Sequence, residues 1–239
     1  MTTFVLVHSP LVGPYTWAPV VVELRKRGFG AIAPALPDSR ELSSPYWRGH
    51  AGAVVEALRE VPGDEPLVLA AHSGAGMLLP AVWAMSGRPV AAYIFVDAGI
   101  PRDGMSRLDF FGVEEAAEFR AAAEDGLLPT WSEEDLREMI PDTETRRRFV
   151  GELRPLPLAV YEEPIPVFNG WPDAPSGYLQ FSRTYDAPAS EAREAGWAYR
   201  QLVGGHFHML AEPSAVADAL VGLIQEMEVL PPAVKKTQS

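Results

Sequence analysis

Residues 67–76 read Leu-Val-Leu-Ala-Ala-His-Ser-Gly-Ala-Gly, an apolar run that ends at Ser73 and continues in small residues. The apolar run is typical of a buried strand, and residues 74–85 predict a helix. A serine on a sharp strand-to-helix turn has a strained backbone, so its neighbours must be small, as Ala71 and Gly76 are. Such a turn lifts the hydroxyl above the sheet, as a nucleophile requires, and directs the helix N-terminus at the developing oxyanion. A serine that only caps the helix is the alternative interpretation.

Outward from this segment, short apolar runs alternate with helical patterns along most of the chain. The runs are apolar throughout, which is expected when helices cover both faces of a parallel sheet. The pattern predicts an α/β fold, a doubly wound and mostly parallel sheet of about six strands flanked by helices. The predicted strands are residues 4–7, 31–36, 67–71, 91–96, 177–182 and 197–203.

The alternation stops over residues 102–163, after the strand that ends at Asp97. An insertion at this point predicts a helical cap over the strand ends, where ligands bind in open α/β sheets. We therefore expect one domain with a helical cap inserted into it. Its predicted parts are a core of residues 1–101 and 164–230 and a flexible tail at 231–239. The cap is predicted to contain a helix at 113–125, a helix that begins at a cap formed by Ser132 and Asp135, and a helix at 143–153.

A loop that contains Gly204, Gly205 and His206 follows the last predicted strand and precedes a final helix. Its place in the chain brings a histidine to the sheet edge at which Ser73 is displayed, in the order serine, acid, histidine. His206 is favoured as the general base because two glycines let its loop turn back towards the serine. His208 is expected to line the pocket or to pack beneath it. A loop histidine without a catalytic role is the alternative interpretation.

The chain of 239 residues has a formal net charge of −12 and no cysteine. The negative charge argues against a nucleic-acid partner, which needs a basic face. The absence of cysteine excludes disulfides and thiolate chemistry and is compatible with a cytoplasmic protein. No apolar run approaches the roughly 20 residues that span a bilayer, so no membrane partner is expected. The scattered histidines predict no metal site, and a homodimer is compatible with the sequence.

The sequence resembles the α/β-hydrolase superfamily, and within it the compact branch of esterases and hydroxynitrile-lyase-like proteins. The resemblance is carried by residues 5–8, by Ser73 in its turn, by residues 95–98 and by residues 205–207. It implies a triad of serine, histidine and an acid. The acid is expected after the strand at residues 177–182, which indicates Asp186. Asp173 and Asp97 are alternatives in that order.

The resemblance also implies an oxyanion hole, with one donor at the backbone of Gly74 and another on the loop after the first strand. The residue expected to supply this second donor is Pro10, which has no N–H group. The backbone of Leu11 or the hydroxyl of Ser9 would have to replace it. The lysine that hydroxynitrile lyases have after the catalytic histidine is absent, since Phe207 stands there, so cyanohydrin cleavage is not expected.

These features predict a serine hydrolase that needs no cofactor and acts on a small-molecule ester, thioester or lactone. A lyase or cyclase with the same serine–histidine pair as acid and base is one alternative. A non-catalytic receptor for a small molecule is the other. Large apolar residues of the cap pack onto the core, and those that face Ser73 would form an apolar pocket. They include Phe110, Phe111, Leu127, Leu128, Trp131 and Tyr161.

Overall fold

A computed structural model of the protein describes residues 1–229. Eight strands form in this part of the chain: β1 (Thr3–Val7), β2 (Gly30–Ile32), β3 (Leu67–Ser73), β4 (Val90–Ala98), β5 (Leu127–Leu128), β6 (Leu156–Pro157), β7 (Ser176–Gln180) and β8 (Ala198–Gln201). Six of them make one sheet in the order β2-β1-β3-β4-β7-β8, and every pair of neighbours is parallel. The predicted doubly wound α/β sheet is therefore confirmed.

Helices cover both faces of this sheet. The helices within residues 1–229 are α1 (Ala18–Lys26), α2 (Tyr46–Ala57), α3 (Leu79–Ser86), α4 (Val113–Ala121), α5 (Thr143–Glu152), α6 (Ala159–Glu162), α7 (Asp186–Glu194), α8 (His208–Ala211) and α9 (Pro213–Glu226). Side chains of β1 that point to one face pack with α1 and α9. Those that point to the other face pack with α2, α3 and α7. Both faces are thus withdrawn from water, which explains why the strands are apolar throughout.

The strand β3 lies at the centre of the sheet, and β4 is its neighbour. All seven residues of β3 are buried. Ser73 at its end is in register with Ala98 at the end of β4, after a register shift between His72 and Ser73. The carboxyl ends of the two strands therefore meet at one edge, and Asp97 is brought to the same edge as Ser73.

Residues 102–163 contain α4, α5, α6 and a small antiparallel pair formed by β5 and β6. The predicted helices at residues 113–125 and 143–153 correspond to α4 and α5. At Ser132 the capping hydrogen bonds form, because the Asp135 carboxylate accepts from the Ser132 backbone N–H at 2.8 Å and from its hydroxyl at 2.7 Å. Turns follow this cap in place of the expected helix.

The flexible tail expected at residues 231–239 lies outside the described residues. Within residues 1–229, none of the helices is both long enough and apolar enough to cross a bilayer.

Candidate active site

Ser73 ends β3 with φ of 58° and ψ of −133°, and a 3₁₀ turn begins at Gly74. A positive φ is strained for a residue with a side chain, so the surrounding packing must hold it. Gly76 has no room for a larger residue, because an added Cβ would lie 2.3 Å from the carbonyl oxygen of Gly99. The small residues that follow the serine in the sequence are therefore required by close packing between the turn and the end of β4.

His206 lies on the loop between β8 and α8, and its Nδ1 is 2.7 Å from Oδ2 of Asp97. Asp97 is fully buried and has a φ of 43°. Its carboxylate also accepts from the backbone N–H groups of Phe181 and Ser182, at 2.9 and 3.0 Å, and from the Ser182 hydroxyl at 2.7 Å. These bonds hold the carboxylate in a fixed position, from which it orients the imidazole of His206.

The expectation that Asp186 partners the histidine is therefore corrected. Asp186 begins α7, and its carboxylate accepts from the side-chain amide of Gln180 instead. Asp173, the first alternative, accepts from the Tyr93 hydroxyl at 2.7 Å. It precedes β7 and so lies at the opposite end of the sheet from Ser73. Asp97, the second alternative, is the acid that the structure brings to His206.

His72 supports the histidine loop from below. Its Nε2 donates to the carbonyl oxygen of His206 at 2.9 Å, and the two rings lie 4.3 Å apart. Complete burial lowers the pKa of His72 well below its ordinary value, because desolvation disfavours the charged ring. The sequence alone predicts no catalytic or supporting role for His72. Its place beside the predicted nucleophile was the available signal for this supporting role.

His208, two residues after His206, packs against Phe181 and close to Gly204. The His208 ring packs edge-on against Phe181, with centroids 5.4 Å apart. An added Cβ at Gly204 would lie 2.3 Å from Nδ1 of His208. His208 thus packs beneath the loop, and glycine at residue 204 provides the space that it needs.

The loop after β1 lies on the other side of Ser73. His8 donates from Nδ1 to the carbonyl oxygen of Ser9 at 2.9 Å and accepts the N–H of Leu36 at Nε2 at 3.2 Å. Burial lowers the pKa of His8 to about 4, so the ring is neutral at pH 7. The N–H of Leu11 donates to the Ser9 hydroxyl at 3.4 Å, and this hydroxyl is 3.4 Å from that of Tyr161. The candidate donors of the sequence analysis are therefore linked to one another and to the cap.

A buried arginine of the cap contacts the turn at Ser73. Arg107 is 1% exposed; its Nε donates to the carbonyl oxygen of Gly74 at 3.0 Å and its Nη1 to that of Val160 at 2.7 Å. The carboxylate of Glu163 lies 3.9 Å from Nη1. This connection was not predicted, because a charged residue in a helical segment normally indicates a solvated face.

A small cavity of about 60 Å³ opens at Ser73. Of the six apolar cap residues expected near the site, Phe110, Phe111 and Tyr161 line it. Leu128 packs within the cap, and Trp131 packs edge-on against Phe207. The remaining lining residues are Gly74, Gly99, Arg107, Glu115, Thr184, Tyr185, Ala187 and Pro188.

The Ser73 hydroxyl is hydrogen-bonded to the hydroxyl of Tyr185 at 3.1 Å. Within residues 1–229, no hydrogen bond joins Ser73 to His206. Tyr185 was not identified from the sequence. It follows Ser182 by three residues in the loop after β7, the loop at which the acid was expected.

Comparison with known proteins gives a consistent result. The sequence model of the α/β hydrolase family matches residues 4–219. A carbendazim hydrolyzing esterase from Nocardioides sp. (strain SG-4G) is 24% identical over 256 residues, which cover 93% of this chain and 100% of that protein. An extracellular α/β-hydrolase from a Paenibacillus species has a TM-score of 0.77 at 20% identity, covering 93% of this chain and 99% of that one. Polyneuridine aldehyde esterase has a TM-score of 0.71 at 16% identity, with 93% and 98% covered. Because the family match spans most of the sequence, this chain belongs to the α/β-hydrolase family.

Proposed function

We propose that the protein is a serine esterase in which Ser73 is the nucleophile, His206 the general base and Asp97 the acid that orients the base. The observation that carries the proposal is the 2.7 Å contact between His206 and Asp97 at the sheet edge where Ser73 sits in its strained turn. A buried carboxylate with four hydrogen bonds stabilises the imidazolium that forms when the base takes a proton. The match to an esterase along that protein's whole length supports the hydrolytic part of the proposal.

In the first half of the reaction, the Ser73 hydroxyl attacks the carbonyl carbon of the ester and its proton passes to His206. The carbonyl oxygen becomes an oxyanion, which the backbone N–H of Gly74 stabilises. The bond to the leaving oxygen then breaks, and His206 returns the proton to that oxygen. In the second half, water replaces serine as the nucleophile, the acyl–serine bond breaks, and Ser73 regains its proton.

The second oxyanion donor has to come from the loop after β1, where Pro10 has no N–H. We assign this role to the Ser9 hydroxyl. It is buried and is held between the N–H of Leu11 and the hydroxyl of Tyr161, each at 3.4 Å. In this arrangement Leu11 positions the hydroxyl instead of contacting the substrate. A donor held by such long bonds is less rigid than a backbone N–H, which predicts a slower acylation step.

The cavity at Ser73 supports a small apolar substrate. Two phenyl rings, Phe110 and Phe111, form its apolar wall beside Ser73. Its volume of about 60 Å³ is far below the roughly 300 Å³ at which ligand pockets begin. A small apolar group therefore fits beside Ser73, and for the ester, thioester or lactone of a small to medium apolar molecule that we propose as substrate, larger groups require side chains of the cap to move.

The test is hydrolysis of 4-nitrophenyl esters of increasing acyl length, with aryl lactones alongside, by the wild type and by Ser73→Ala. We expect the variant to lose about 10³-fold or more in kcat, because it lacks the nucleophile. Ser43→Ala, which changes an exposed serine, is the matched control and should retain full activity. Equal rates for wild type and Ser73→Ala on every substrate would refute the proposal.

A second candidate is a lyase or cyclase in which Ser73 and His206 exchange protons with the substrate without acylation. It is favoured by one observation, the missing hydrogen bond between these two residues in the part of the chain that the structure describes. A fluorophosphonate probe distinguishes the two functions, because only a serine that is activated for acyl transfer is labelled rapidly. We expect rapid labelling of the wild type and none of Ser73→Ala.

A further inference from the structure

The hydroxyl of Tyr185 contacts the nucleophile, and its ring covers the base. Its oxygen is 3.1 Å from Oγ of Ser73. Its ring is stacked on the imidazole of His206, with centroids 5.2 Å apart and planes 8° from parallel. One side chain thus touches both members of the pair that carries out the proton transfer in the proposed reaction.

The position of Tyr185 is a consequence of where the acid lies. It ends a 3₁₀ turn, Arg183–Tyr185, directly after β7. Because β4 supplies Asp97, this loop does not have to supply the acid of the triad. Ser182, at the start of the loop, donates to Asp97 at 2.7 Å, and the turn then directs Tyr185 towards Ser73.

The hydroxyl of Tyr185 remains protonated in the site. Burial raises the pKa of Tyr185, because desolvation disfavours the phenolate, and the hydrogen bond to Ser73 opposes this effect only in part. The phenol therefore has a proton to offer in a hydrogen bond at neutral pH. Phe110, Phe111 and Pro188 line the same cavity as Tyr185, and an apolar lining strengthens a hydrogen bond that is made there.

The tetrahedral intermediate contains two oxygens that a donor near Ser73 can reach, the oxyanion and the leaving oxygen. The oxyanion is directed at the N–H of Gly74 and at the Ser9 hydroxyl, on the side where Tyr161 lies. The leaving oxygen must face His206, because this residue returns the proton to it. Tyr185 is stacked on His206 and therefore lies on the side of the leaving oxygen.

We propose that Tyr185 is a catalytic residue that donates a hydrogen bond to the leaving oxygen of the ester as the tetrahedral intermediate collapses. This inference rests on the proposed esterase function. The covalent balance is that of serine acyl transfer: the proton of Ser73 passes to His206 and then to the leaving oxygen, while the carbon–oxygen bond of the ester breaks. Tyr185 keeps its own proton and stabilises the negative charge that develops on that oxygen.

The experiment uses Tyr185→Phe and two esters with the same acyl group, methyl butanoate and 4-nitrophenyl butanoate. Methoxide is strongly basic and needs stabilisation as it leaves, whereas 4-nitrophenoxide leaves unaided. A hydrogen bond to a developing charge corresponds to a factor of about 10–100. We expect kcat/KM, which reports the acylation step, to fall by this factor for the methyl ester and to change little for the nitrophenyl ester.

Tyr161→Phe is the matched control, because it also removes a buried hydroxyl from the cavity, on the side of the oxyanion. Its loss should be equal for the two esters, since both form the same oxyanion. An equal loss for both esters in Tyr185→Phe would overturn the inference and leave the esterase function intact. A gain for both esters would overturn it too, because Tyr185 would then only block Ser73. If the wild type hydrolyses neither ester and takes up no fluorophosphonate, the proposed function itself fails, and the inference with it.

Discussion

The two sides of Ser73 are built differently. On the base side, His206 is bonded to Asp97 at 2.7 Å, and Asp97 is bonded to the Ser182 hydroxyl at the same distance. On the side where we propose that the oxyanion binds, called the oxyanion side below, the Ser9 hydroxyl is reached only at 3.4 Å, by the Leu11 N–H and by the hydroxyl of Tyr161. Short bonds to a buried carboxylate therefore contrast with long bonds between neutral groups.

The difference follows from the elements that supply each side. Asp97 is part of β4, and it lies between Val96 and Ala98, which pair with His72 and Ser73 of β3. Ser9 lies on a loop, and its partner Tyr161 belongs to a cap helix of four residues. Groups fixed by a sheet are preorganised, whereas groups on loops depend on packing. The orientation of His206 by Asp97 is therefore expected to be better organised than the contact of the Ser9 hydroxyl with an oxyanion.

The strongest test of this comparison removes the charge of Asp97. Asp97→Asn keeps the shape of the side chain but cannot stabilise the imidazolium of His206, so we expect kcat to fall by about 10⁴-fold. Asp186→Asn is the matched control, because Asp186 bonds Gln180 and not His206. Its kcat should stay close to that of the wild type, and thermal unfolding of both variants verifies that they fold. A larger loss in Asp186→Asn than in Asp97→Asn would reverse the assignment.

Lowering the pH tests both sides, because each contains a buried histidine that is neutral in the folded protein. Burial lowers the pKa of His8, on the oxyanion side, to about 4 and that of His72, on the base side, well below its ordinary value. The unfolded chain binds protons at these rings near pH 6.5, so it takes up more protons than the folded protein below that pH. The free energy of unfolding should therefore fall between pH 7 and pH 5, by about 2 kcal/mol for each buried ring.

Urea unfolding at several pH values measures this loss. His50 is a third buried ring, with a pKa lowered to about 3 by the same desolvation and a hydrogen bond to the Ser39 hydroxyl at 2.9 Å. In His50→Gln, the fall in the free energy of unfolding between pH 7 and pH 5 should be smaller by the contribution of one buried ring. If the loss is the same in the variant, protonation of buried histidines does not set the acid stability.

The smallest expected effect concerns Pro10. Pro10→Ala restores a backbone N–H to the loop after β1, and a backbone donor can add to the Ser9 hydroxyl. We expect kcat to rise by up to about 10-fold on 4-nitrophenyl esters, below the roughly 10²-fold worth of a fully formed donor. Pro14→Ala, in the same loop, is the control and should leave kcat unchanged. A fall in Pro10→Ala would mean that the oxyanion side already depends on the rigidity of proline.

The sequence predicts best those features that depend on local pattern. Apolar runs identified the strands of the sheet, and small residues around Ser73 identified the turn, because close packing permits nothing larger there. The loop of His206 followed from chain order and from its glycines. Apart from the chain order, each of these signals lies within about ten residues of the feature that it predicts.

The identity of the acid could not be predicted in the same way. Asp97 and Asp186 follow predicted strands and Asp173 precedes one, and the sequence alone does not tell which carboxylate the fold brings to His206. Asp97 is the one brought there, because it lies near the end of β4, which is next to β3, the strand that ends with Ser73. The contact of Tyr185 with Ser73 and the burial of Arg107 depend in the same way on loops and on the cap, whose packing leaves no periodic signal.

The buried guanidinium of Arg107 has a consequence for how the protein opens. It connects the turn at Ser73, through Gly74, with the end of the cap at Val160. Lifting this part of the cap would leave a charge without its partners in the interior, which is strongly unfavourable. The contact between α6 and the turn at Ser73 should therefore open only as one cooperative unit, and the backbone amides of both segments should exchange their hydrogens slowly. Helix α4 is coupled to the same region, because its Phe119 stacks on Tyr161 of α6 with ring centroids 4.8 Å apart.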